Sequence, residues 1–177
     1  MTRKTTGIIL AGGHGSRMGN VEKGLLKYEG KEIISYVLEQ LEAAVSEILI
    51  ISNSPGIYDF LGFPVFPDII PNCGPLGGIY TGLFHSNSLI NFAVSCDMPN
   101  IRSEAINYLI ENSAGYQAAV FKTPGGIEPL FTVFSSNCLG LMENELREGH
   151  YSVRHFLKKL NVYYVDYSNN LPFYVRD

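Results

Sequence analysis

The stretch TTGIILAGGHGSRMGNVEKG (residues 5–24) joins a short apolar run to a loop that contains five glycines, one arginine and one lysine. The run over residues 5–10 shows no alternation of polar and apolar residues, so it predicts a strand that is covered on both faces. In α/β domains the loop after the first strand often binds a ligand. Glycine allows backbone N–H groups to approach an anion closely. The stretch therefore predicts an α/β domain that binds phosphate beyond its first strand.

Two familiar phosphate-binding loops do not fit this sequence. A P-loop requires serine or threonine directly after its lysine, where the hydroxyl holds magnesium, whereas Lys23 is followed by Gly24. A dinucleotide-binding loop requires a third glycine three residues after the second, whereas Met18 stands at that distance from Gly15. Both kinds of loop are excluded.

The charged residues of the loop nevertheless suit a phosphate ligand. Arg17 has a planar guanidinium that can donate two hydrogen bonds to phosphate oxygens, and Lys23 carries a mobile point charge. His14 also lies in the loop and could touch phosphate. A glycine loop with solvated charges is the alternative that these residues leave open.

Apolar periodicity along the chain predicts alternating strands and helices. Strands are predicted over residues 5–10, 47–52, 63–67, 92–96, 116–122, 128–135 and 162–168, and helices over residues 31–46, 76–87, 104–113, 137–148 and 152–160. Ser103 and Ser152 are predicted helix N-caps, and Asn87 is predicted to end the second helix. The alternation indicates α/β class: one domain over residues 1–177, Rossmann-like, with three layers and a mostly parallel central sheet.

Polar residues follow several of the predicted strands. Asn53, Asp68 and Asp97 stand at strand ends, as do residues 10–13, and GPLGG (residues 74–78) begins a helix nearby in the chain. Ligands of open α/β sheets bind beyond the carboxyl ends of the strands, so we expect these residues to meet there. A carboxylate at Asp97 could bind magnesium together with substrate phosphates. Capping the following turn is the equally open alternative.

Composition excludes several classes of partner. The net charge is −4 and the basic residues do not cluster, which disfavours nucleic acid and anionic membranes. No window approaches the roughly 18 unbroken apolar residues of a membrane span. The apolar run near the N-terminus is too short for a signal peptide, so we expect a cytoplasmic protein.

Cysteines and histidines give weaker signals. Cys73, Cys96 and Cys138 are odd in number and widely spaced, which predicts reduced thiols rather than disulfides or a zinc site. His150 and His155 are five residues apart and so not on one helical face, and no arrangement suggests nucleophilic catalysis.

Taken in order, the motifs resemble the molybdenum cofactor guanylyltransferases. LAGG-x-x-x-RMG-x-x-x-KGL (residues 10–25) carries the resemblance, together with SCDMP (residues 95–99). Further matches are FPD (residues 66–68), GPLGG-x-x-x-GL (residues 74–83), EPLFTVF (residues 128–134), Gly149 and HFLKKL (residues 155–160). The wider group consists of nucleotidyltransferases with a glycosyltransferase-A-like Rossmann fold. LAGG, in place of the LAAG of many cytidylyl-transferring relatives, favours guanine.

The resemblance implies an activity and a set of site residues. The terminal phosphate of molybdopterin, which carries molybdenum, would attack the α-phosphorus of Mg-GTP and release pyrophosphate. Leu10, Ala11 and Gly12 would line guanine and ribose, while Gly13, Gly15 and Arg17 would hold the β- and γ-phosphates. Lys23 would contact the α-phosphate, and Asp97 would bind Mg²⁺; these two and Arg17 are the implied catalytic residues. The remaining implied nucleotide-binding residues are Asn53, Asp68, Gly74, Pro75 and Leu76.

The resemblance also implies partners and leaves alternatives. GTP and molybdopterin would be the substrates, and other cofactor-biosynthesis proteins and recipient molybdoenzymes would be partners. Members of the family usually carry an N-x-N-[TD]-P-E segment near the C-terminus, whereas Asn169 and Asn170 lack its spacing. Two alternatives therefore stay open: a nucleotidyltransferase of the same fold that acts on a sugar phosphate or another small molecule, and a GTP-binding module without catalysis.

Overall fold

A computed structural model describes residues 4–12 and 22–166 of the 177-residue chain. The strands within them are β1 (Thr5–Leu10), β2 (Lys27–Tyr28), β3 (Lys31–Glu32), β4 (Glu47–Ile51), β5 (Val65–Phe66), β6 (Ile90–Ser95), β7 (Ala118–Thr123), β8 (Gly126–Ser135) and β9 (Val162–Asp166). The helices are α1 (Ile33–Glu42), α2 (Gly74–His85), α3 (Ser103–Asn112), α4 (Leu139–Arg147) and α5 (Val153–Leu157). Short 3-10 turns lie at Lys23–Leu25, Pro55–Ile57, Asp59–Leu61 and Ser136–Cys138.

Seven of these strands form a central sheet in the order β5-β4-β1-β6-β8-β7-β9. Strand β1 pairs in parallel with β4 and β6, and β5 and β9 are parallel to their neighbours. Strand β8 runs antiparallel to both β6 and β7. The prediction of a mostly parallel sheet is therefore confirmed, with β8 as the reversed strand.

Two hydrophobic clusters cover the two faces of the sheet. On one face α1 and α3 bury residues such as Leu41 and Ile106 against Ile9 and Phe92. On the other face α2, α4 and α5 pack against residues such as Ile8. All six residues of β1 are buried, which explains its unbroken apolar run. The predicted three layers are confirmed.

Glycines in helix α2 allow it to lie close to β1. A Cβ on Gly82 would come within 2.4 Å of the Ile8 side chain, and one on Gly78 would come within 3.0 Å of Leu10. Real Cβ atoms do not approach carbons this closely, so any larger residue would push the helix from the sheet. This close packing places the first turn of α2 beside the carboxyl end of β1.

Several predicted boundaries are wrong. The first helix begins at Ile33 rather than residue 31, because Lys31–Glu32 pairs with Lys27–Tyr28 in a small hairpin. Its turn has positive φ at Glu29 and Gly30, the backbone typical of a two-residue hairpin. Helix α2 ends at His85, before Asn87. Ser103 is not the N-cap, because it is the first residue of α3 and Arg102 stands at the cap position; the Ser103 N–H donates to the Gln40 side chain.

Two other local predictions are confirmed. Ser152 precedes α5, and its hydroxyl accepts a hydrogen bond from the backbone N–H of His155 at 3.3 Å. All three cysteines are free and buried. Burial raises the pKa of the Cys138 thiol to about 11. Among the described residues, no helix combines the length and apolar character needed to cross a membrane.

Candidate active site

A cavity of about 590 Å³ opens at the carboxyl ends of the parallel strands. Residues that follow β1, β4, β5 and β6 line it, as the topology of the sheet predicts. The start of α2 and part of β8 complete its walls. The lining residues that carry charge are Glu22, Lys23, Asp68, Asp97 and Glu128. The cavity therefore combines apolar walls with cationic and anionic groups.

Backbone hydrogen bonds hold the ends of three strands together at the cavity. The Ala11 N–H donates to the carbonyl of Ile51 at 2.9 Å, and the Cys96 N–H donates to the carbonyl of Leu10 at 3.1 Å. Both bonds extend the parallel ladders one residue beyond β1 and β6. The wall formed by residues 10–12 is thus fixed by the sheet rather than by a separate loop.

Asp97 is the most closely held charged residue of the cavity. The Ser95 hydroxyl donates to its Oδ1, and the Lys23 Nζ donates to its Oδ2 at 3.2 Å. Burial by itself raises the pKa of Asp97, but the hydrogen bond from Ser95 and the hydrogen bond and charge of Lys23 outweigh it, so the pKa lies below its ordinary value. The carboxylate stays ionised at neutral pH.

Lys23 reaches Asp97 because a short turn carries it to the end of β6. Lys23–Leu25 forms a 3-10 turn, and a Cβ on Gly24 would lie 3.2 Å from the Cys96 sulfur and 3.4 Å from Ile34. The glycine next to the lysine thus allows the turn to pack against the residue before Asp97. The side chain of Lys23 is about half exposed, at 49%, so its ammonium can contact a ligand in the cavity.

Asn53 and Asp68 form a reciprocal pair on another wall. The Asn53 amide donates to Asp68 Oδ2 at 2.9 Å, and the Asp68 N–H donates to Asn53 Oδ1 at 2.9 Å. The two bonds connect the segment after β4 to the segment after β5. Gly78 of α2 lies close behind, since a Cβ there would sit 3.6 Å from Asp68 Oδ1. Asn53 and Asp68 are therefore positioned as a unit.

Tyr58 fixes the backbone at the edge of the cavity. Its side chain is fully buried, and its hydroxyl donates to Glu22 Oε2 at 3.2 Å and lies 3.5 Å from the carbonyl of Ala11. Burial, followed by the neighbouring Cys96 and Glu22 and the hydrogen bond to Glu22, raises the pKa of Tyr58 well above its ordinary value. The neutral hydroxyl thus connects residue 11, after β1, to the residue that precedes Lys23.

The structure brings together most of the predicted site residues that it describes. Leu10, Ala11, Gly12, Lys23, Asn53, Asp68, Gly74, Pro75 and Asp97 all line the cavity. Leu76 is the exception, because it is fully buried in the core and does not line the cavity. Its side chain packs in the core beneath the first turn of α2, and its contact with nucleotide stays a prediction. Gly13, His14, Gly15, Arg17, Asn169 and Asn170 lie outside the described residues.

Sequence reasoning missed several residues of the site, among them four that are charged or hydrogen-bonded there. Glu22, Ser95 and Glu128 line the cavity, and Tyr58 lies beneath it. Glu22 directly precedes Lys23, and Ser95 is predicted to lie near a strand end, two residues before Asp97. These positions were the available signal in the sequence. Tyr58 gave no signal, since only the folded turn brings it to Glu22.

The arrangement suits the binding of a charged phosphate ester. A cation, an ionised carboxylate and backbone at a strand end face one cavity, which is the set that positions phosphates and a divalent metal. Cys96 is an unsuitable nucleophile, because burial, and then the neighbouring charge of Asp97, raises the pKa of its thiol to about 12. The thiol of Cys96 is therefore not a candidate for covalent catalysis in this cavity.

A known family matches this geometry over most of the chain. The MobA-like NTP transferase domain matches residues 7–163, which include both Lys23 and Asp97. This chain belongs to that family. It is therefore a nucleotidyltransferase, and the resemblance drawn from the glycine loop and SCDMP is confirmed.

Curated relatives agree with this assignment. A Clostridium perfringens protein named "Probable molybdenum cofactor guanylyltransferase" is 40% identical over 143 residues, which cover 81% of this chain and 72% of that protein. A Syntrophotalea carbinolica protein named "Molybdenum cofactor guanylyltransferase" is 36% identical over 160 residues, which cover 89% of this chain and 76% of that protein.

Solved structures share the fold of this chain. A crystal structure of an Aquifex aeolicus VF5 protein superposes with a TM-score of 0.82 at 27% identity, covering 97% of this chain and 91% of that one. Molybdopterin-guanine dinucleotide biosynthesis protein A from Archaeoglobus fulgidus superposes with a TM-score of 0.77 at 24% identity, covering 91% and 83%. The predicted Rossmann-like nucleotidyltransferase fold is confirmed.

Proposed function

We propose that this nucleotidyltransferase transfers GMP from Mg-GTP to the terminal phosphate of molybdopterin, forming the guanine dinucleotide form of the molybdenum cofactor. The observation that carries the proposal is the Lys23–Asp97 pair, 3.2 Å apart in the strand-end cavity. The choice of guanine and of molybdopterin rests on the names of the relatives that match most of this chain.

The reaction exchanges one phosphoanhydride for another. An oxygen of the molybdopterin phosphate forms a bond to the α-phosphorus of GTP, and the bond from that phosphorus to the bridging oxygen of the β-phosphate breaks. Pyrophosphate leaves with the electron pair of the broken bond. Both reactants are anions, so the protein contributes by aligning them and by offsetting their charge.

Lys23 is placed to offset charge at the phosphorus under attack. Its ammonium is held toward the end of β6 by Asp97, and it is exposed enough to exchange that partner for a phosphate oxygen. Negative charge on the α-phosphate oxygens is greatest in the transition state, so a fixed cation there acts more on rate than on nucleotide affinity. Arg17, which lies outside the described residues, is proposed to hold the departing pyrophosphate.

The residues of the cavity fit Mg²⁺. This ion keeps several waters and usually takes one or two protein carboxylates plus substrate phosphates. Asp97 offers an ionised carboxylate at the cavity wall, and Ser95 orients it through Oδ1. Mg²⁺ held by Asp97 would offset the negative charge of the triphosphate. We therefore propose that Lys23 binds phosphate and that Asp97 binds the metal.

Gly12 is proposed to leave space for the guanine base. It lines the cavity, and a Cβ there would meet only the Ile51 carbonyl, at 3.9 Å. Leu10 and Ala11 would form the apolar part of the same wall. The free volume beside Gly12 is consistent with a purine, which is larger than a pyrimidine.

The proposal is tested by measuring pyrophosphate release with molybdopterin, Mg²⁺ and each of the four nucleoside triphosphates. We expect turnover with GTP to exceed turnover with CTP, and no turnover without an acceptor. Turnover with CTP equal to or above that with GTP would contradict the guanine assignment. Turnover with a sugar phosphate in the absence of molybdopterin would favour that class of acceptor, and GTP binding without turnover on any acceptor would indicate a binding module.

A matched pair of variants connects the activity to the cavity. Asp97→Asn removes the carboxylate in the cavity, whereas Asp166→Asn removes an exposed carboxylate at the end of β9, outside it. We expect the first variant to lose metal-dependent turnover and the second to keep it. Equal turnover in both would contradict the proposed site.

A further inference from the structure

A second group of ligand-type side chains lies on the segment that joins α4 to α5. Glu145, His150 and His155 each offer one potential ligand atom, and the three atoms lie within 4.8 Å of one another. Within residues 4–12 and 22–166, this is the one group of at least three histidine, cysteine or acidic side chains with that geometry. None of the three lines the candidate active site.

Glu145 is an acidic side chain that the fold has buried. It lies on the inner side of α4, and 5% of its side chain is exposed. Lys159 Nζ donates to its Oε1 at 2.6 Å, so one oxygen already has a cationic partner. Its other oxygen, Oε2, lies 3.2 Å from His150 Nδ1 and 3.9 Å from His155 Nε2.

The two oxygens of Glu145 thus have different surroundings. Lys159 offsets the charge of the carboxylate through Oε1, and pairing of this kind is what a buried charge requires. Two imidazoles converge on Oε2 in addition, with ring centres 5.4 Å apart. His150 Nδ1 is within hydrogen-bond distance of Oε2, and His155 Nε2 lies close to the same oxygen, so two imidazoles share one carboxylate oxygen.

The backbone holds all three residues in place. Helix α4 ends at Arg147, and Gly149, with a φ of +84°, reverses the chain. The His150 N–H then donates to the Glu145 carbonyl at 2.9 Å. Ser152 caps α5 and accepts from the N–H of His155. The backbone positions are fixed by helix ends, and only the half-exposed imidazoles are left to rotate.

We propose that Glu145, His150 and His155 form a binding site for a divalent transition metal of the Zn²⁺ type. Imidazole and carboxylate ligands favour Zn²⁺, Co²⁺, Ni²⁺ and Cu²⁺, whereas Mg²⁺ prefers an all-oxygen set. Ligands of tetrahedral zinc stand about 2.0–2.2 Å from the ion, which places them roughly 3.4 Å from each other. His150 Nδ1 already lies 3.2 Å from Glu145 Oε2, whereas His155 Nε2, at 3.9 Å, would have to move closer.

The ligand set leaves at least one coordination position for water or for a second carboxylate. Glu148 is the nearest candidate, since its Oε2 lies 3.6 Å from His150 Nδ1. Lys159 stays outside the ligand set and orients the carboxylate through Oε1, as outer-shell partners do.

The bound ion would join α4 to α5. Helix α5 packs through Phe156 against Phe134 of β8, and β8 contributes Glu128 and Leu130 to the candidate active site. The metal would therefore act as a structural link that supports one wall of that site from behind. Because it binds the folded chain and unites segments that separate on unfolding, it would raise the thermal midpoint.

Metal titration of the full chain, first freed of metal with a chelator, tests this site. Zn²⁺ binding is followed by calorimetry, and Co²⁺ binding by its absorption spectrum. His150→Gln and His155→Gln each remove one ligand, and His85→Gln is the matched control, because His85 stacks on Phe66 outside the cluster. Asp97→Asn removes the other described site that could take the ion.

We expect a single Zn²⁺ site in the parent chain and in the His85 and Asp97 variants. Affinity should fall by at least about 10-fold in each of the other two, since loss of even an outer-shell partner costs about that much. Zn²⁺ should raise the thermal midpoint of the parent but not of these two variants. Comparable midpoints without metal would show that all variants fold.

Three results would overturn the proposal. They are the absence of Zn²⁺ binding by the parent chain, equal affinity in the His150 and His155 variants, and binding that disappears in Asp97→Asn alone. The last would place the ion in the candidate active site. Because the readout is metal binding, none of these results depends on GMP transfer, so the two proposals can fail separately.

Discussion

Two lysine–carboxylate pairs, one in the cavity and one outside it, have the same chemistry and different surroundings. Lys23 and Asp97 are 3.2 Å apart, with 49% and 33% of their side chains exposed. Lys159 and Glu145 are 2.6 Å apart, with 36% and 5% exposed. The first pair faces a cavity and can exchange partners with a ligand, whereas the second holds a buried carboxylate in the fold. The two pairs therefore differ in exposure rather than in chemistry, and the more exposed pair is the one that we propose acts on substrate.

Removal of Asp97 is expected to have the largest effect on activity. Asp97→Asn eliminates the charge that we propose binds Mg²⁺, and it should lower kcat by about 100-fold or more, the size of loss of one preorganised electrostatic group. The thermal midpoint should change little, because the pair is partly solvated. Glu145→Gln should give the reverse pattern, with a lower midpoint and nearly unchanged turnover. Equal loss of activity in Asp97→Asn and Glu145→Gln would contradict the proposed difference between the two pairs.

Lys23 is expected to affect rate more than binding. Lys23→Ala should lower kcat by about 10- to 100-fold, with a smaller change in KM for GTP, because its cation acts mainly on charge developed in the transition state. Lys27→Ala removes an exposed lysine from a nearby hairpin and serves as the control. Steady-state kinetics with GTP as the varied substrate give both values. A rise in KM at constant kcat would show that Lys23 binds ground state and transition state equally.

Tyr58 is expected to act through position alone. Tyr58→Phe removes the hydroxyl that connects Glu22 to the backbone after β1. Loss of one such hydrogen bond costs about 1 kcal/mol of folding stability, and we expect turnover to fall only a few-fold. Chemical denaturation and kinetics on the same preparation measure both effects. Unchanged stability would mean that the hydroxyl does not support this wall.

The smallest expected effect is on thermal stability at low pH. The folded pKa of Asp97 lies below the ordinary value of 3.8, so its carboxylate contributes stability above that pH, and the contribution is lost as pH falls through the folded pKa. The difference in thermal midpoint between the parent chain and Asp97→Asn should therefore shrink only below about pH 3.8. Asp166→Asn provides the reference for general acid effects. A difference that disappears at higher pH would show that the Ser95 and Lys23 contacts do not hold the carboxylate ionised.

Much of the fold and of the cavity could be predicted from the sequence. The unbroken apolar run of β1, and the order of strands and helices, determine a parallel sheet, and polar residues at strand ends then converge by topology. The importance of Gly78 and Gly82 could not be seen from the sequence pattern. They allow α2 to touch β1, which brings Gly74 and Pro75 to the cavity.

Features that depend on turns could not be predicted. The run from Lys31 has a helical period, yet hairpin pairing with Lys27–Tyr28 takes its first two residues. His150 and His155 share no helical face, but the reversal at Gly149 brings both to Glu145. Leu76 belongs to a motif whose neighbours line the cavity, while its own side chain follows the buried face of α2. Each of these features depends on the direction of a turn or of a side chain, which the spacing of residues along the sequence does not determine.

The fate of the individual phosphates of GTP tests the central claim most directly. The chain is incubated with Mg²⁺, molybdopterin and GTP labelled at either the α- or the γ-phosphate, and the products are separated. We expect the α-label to enter the pterin product and the γ-label to appear only in pyrophosphate, and we expect Asp97→Asn to abolish both. Transfer of the γ-label to the acceptor, or release of the α-label as free GMP without a pterin product, would contradict it.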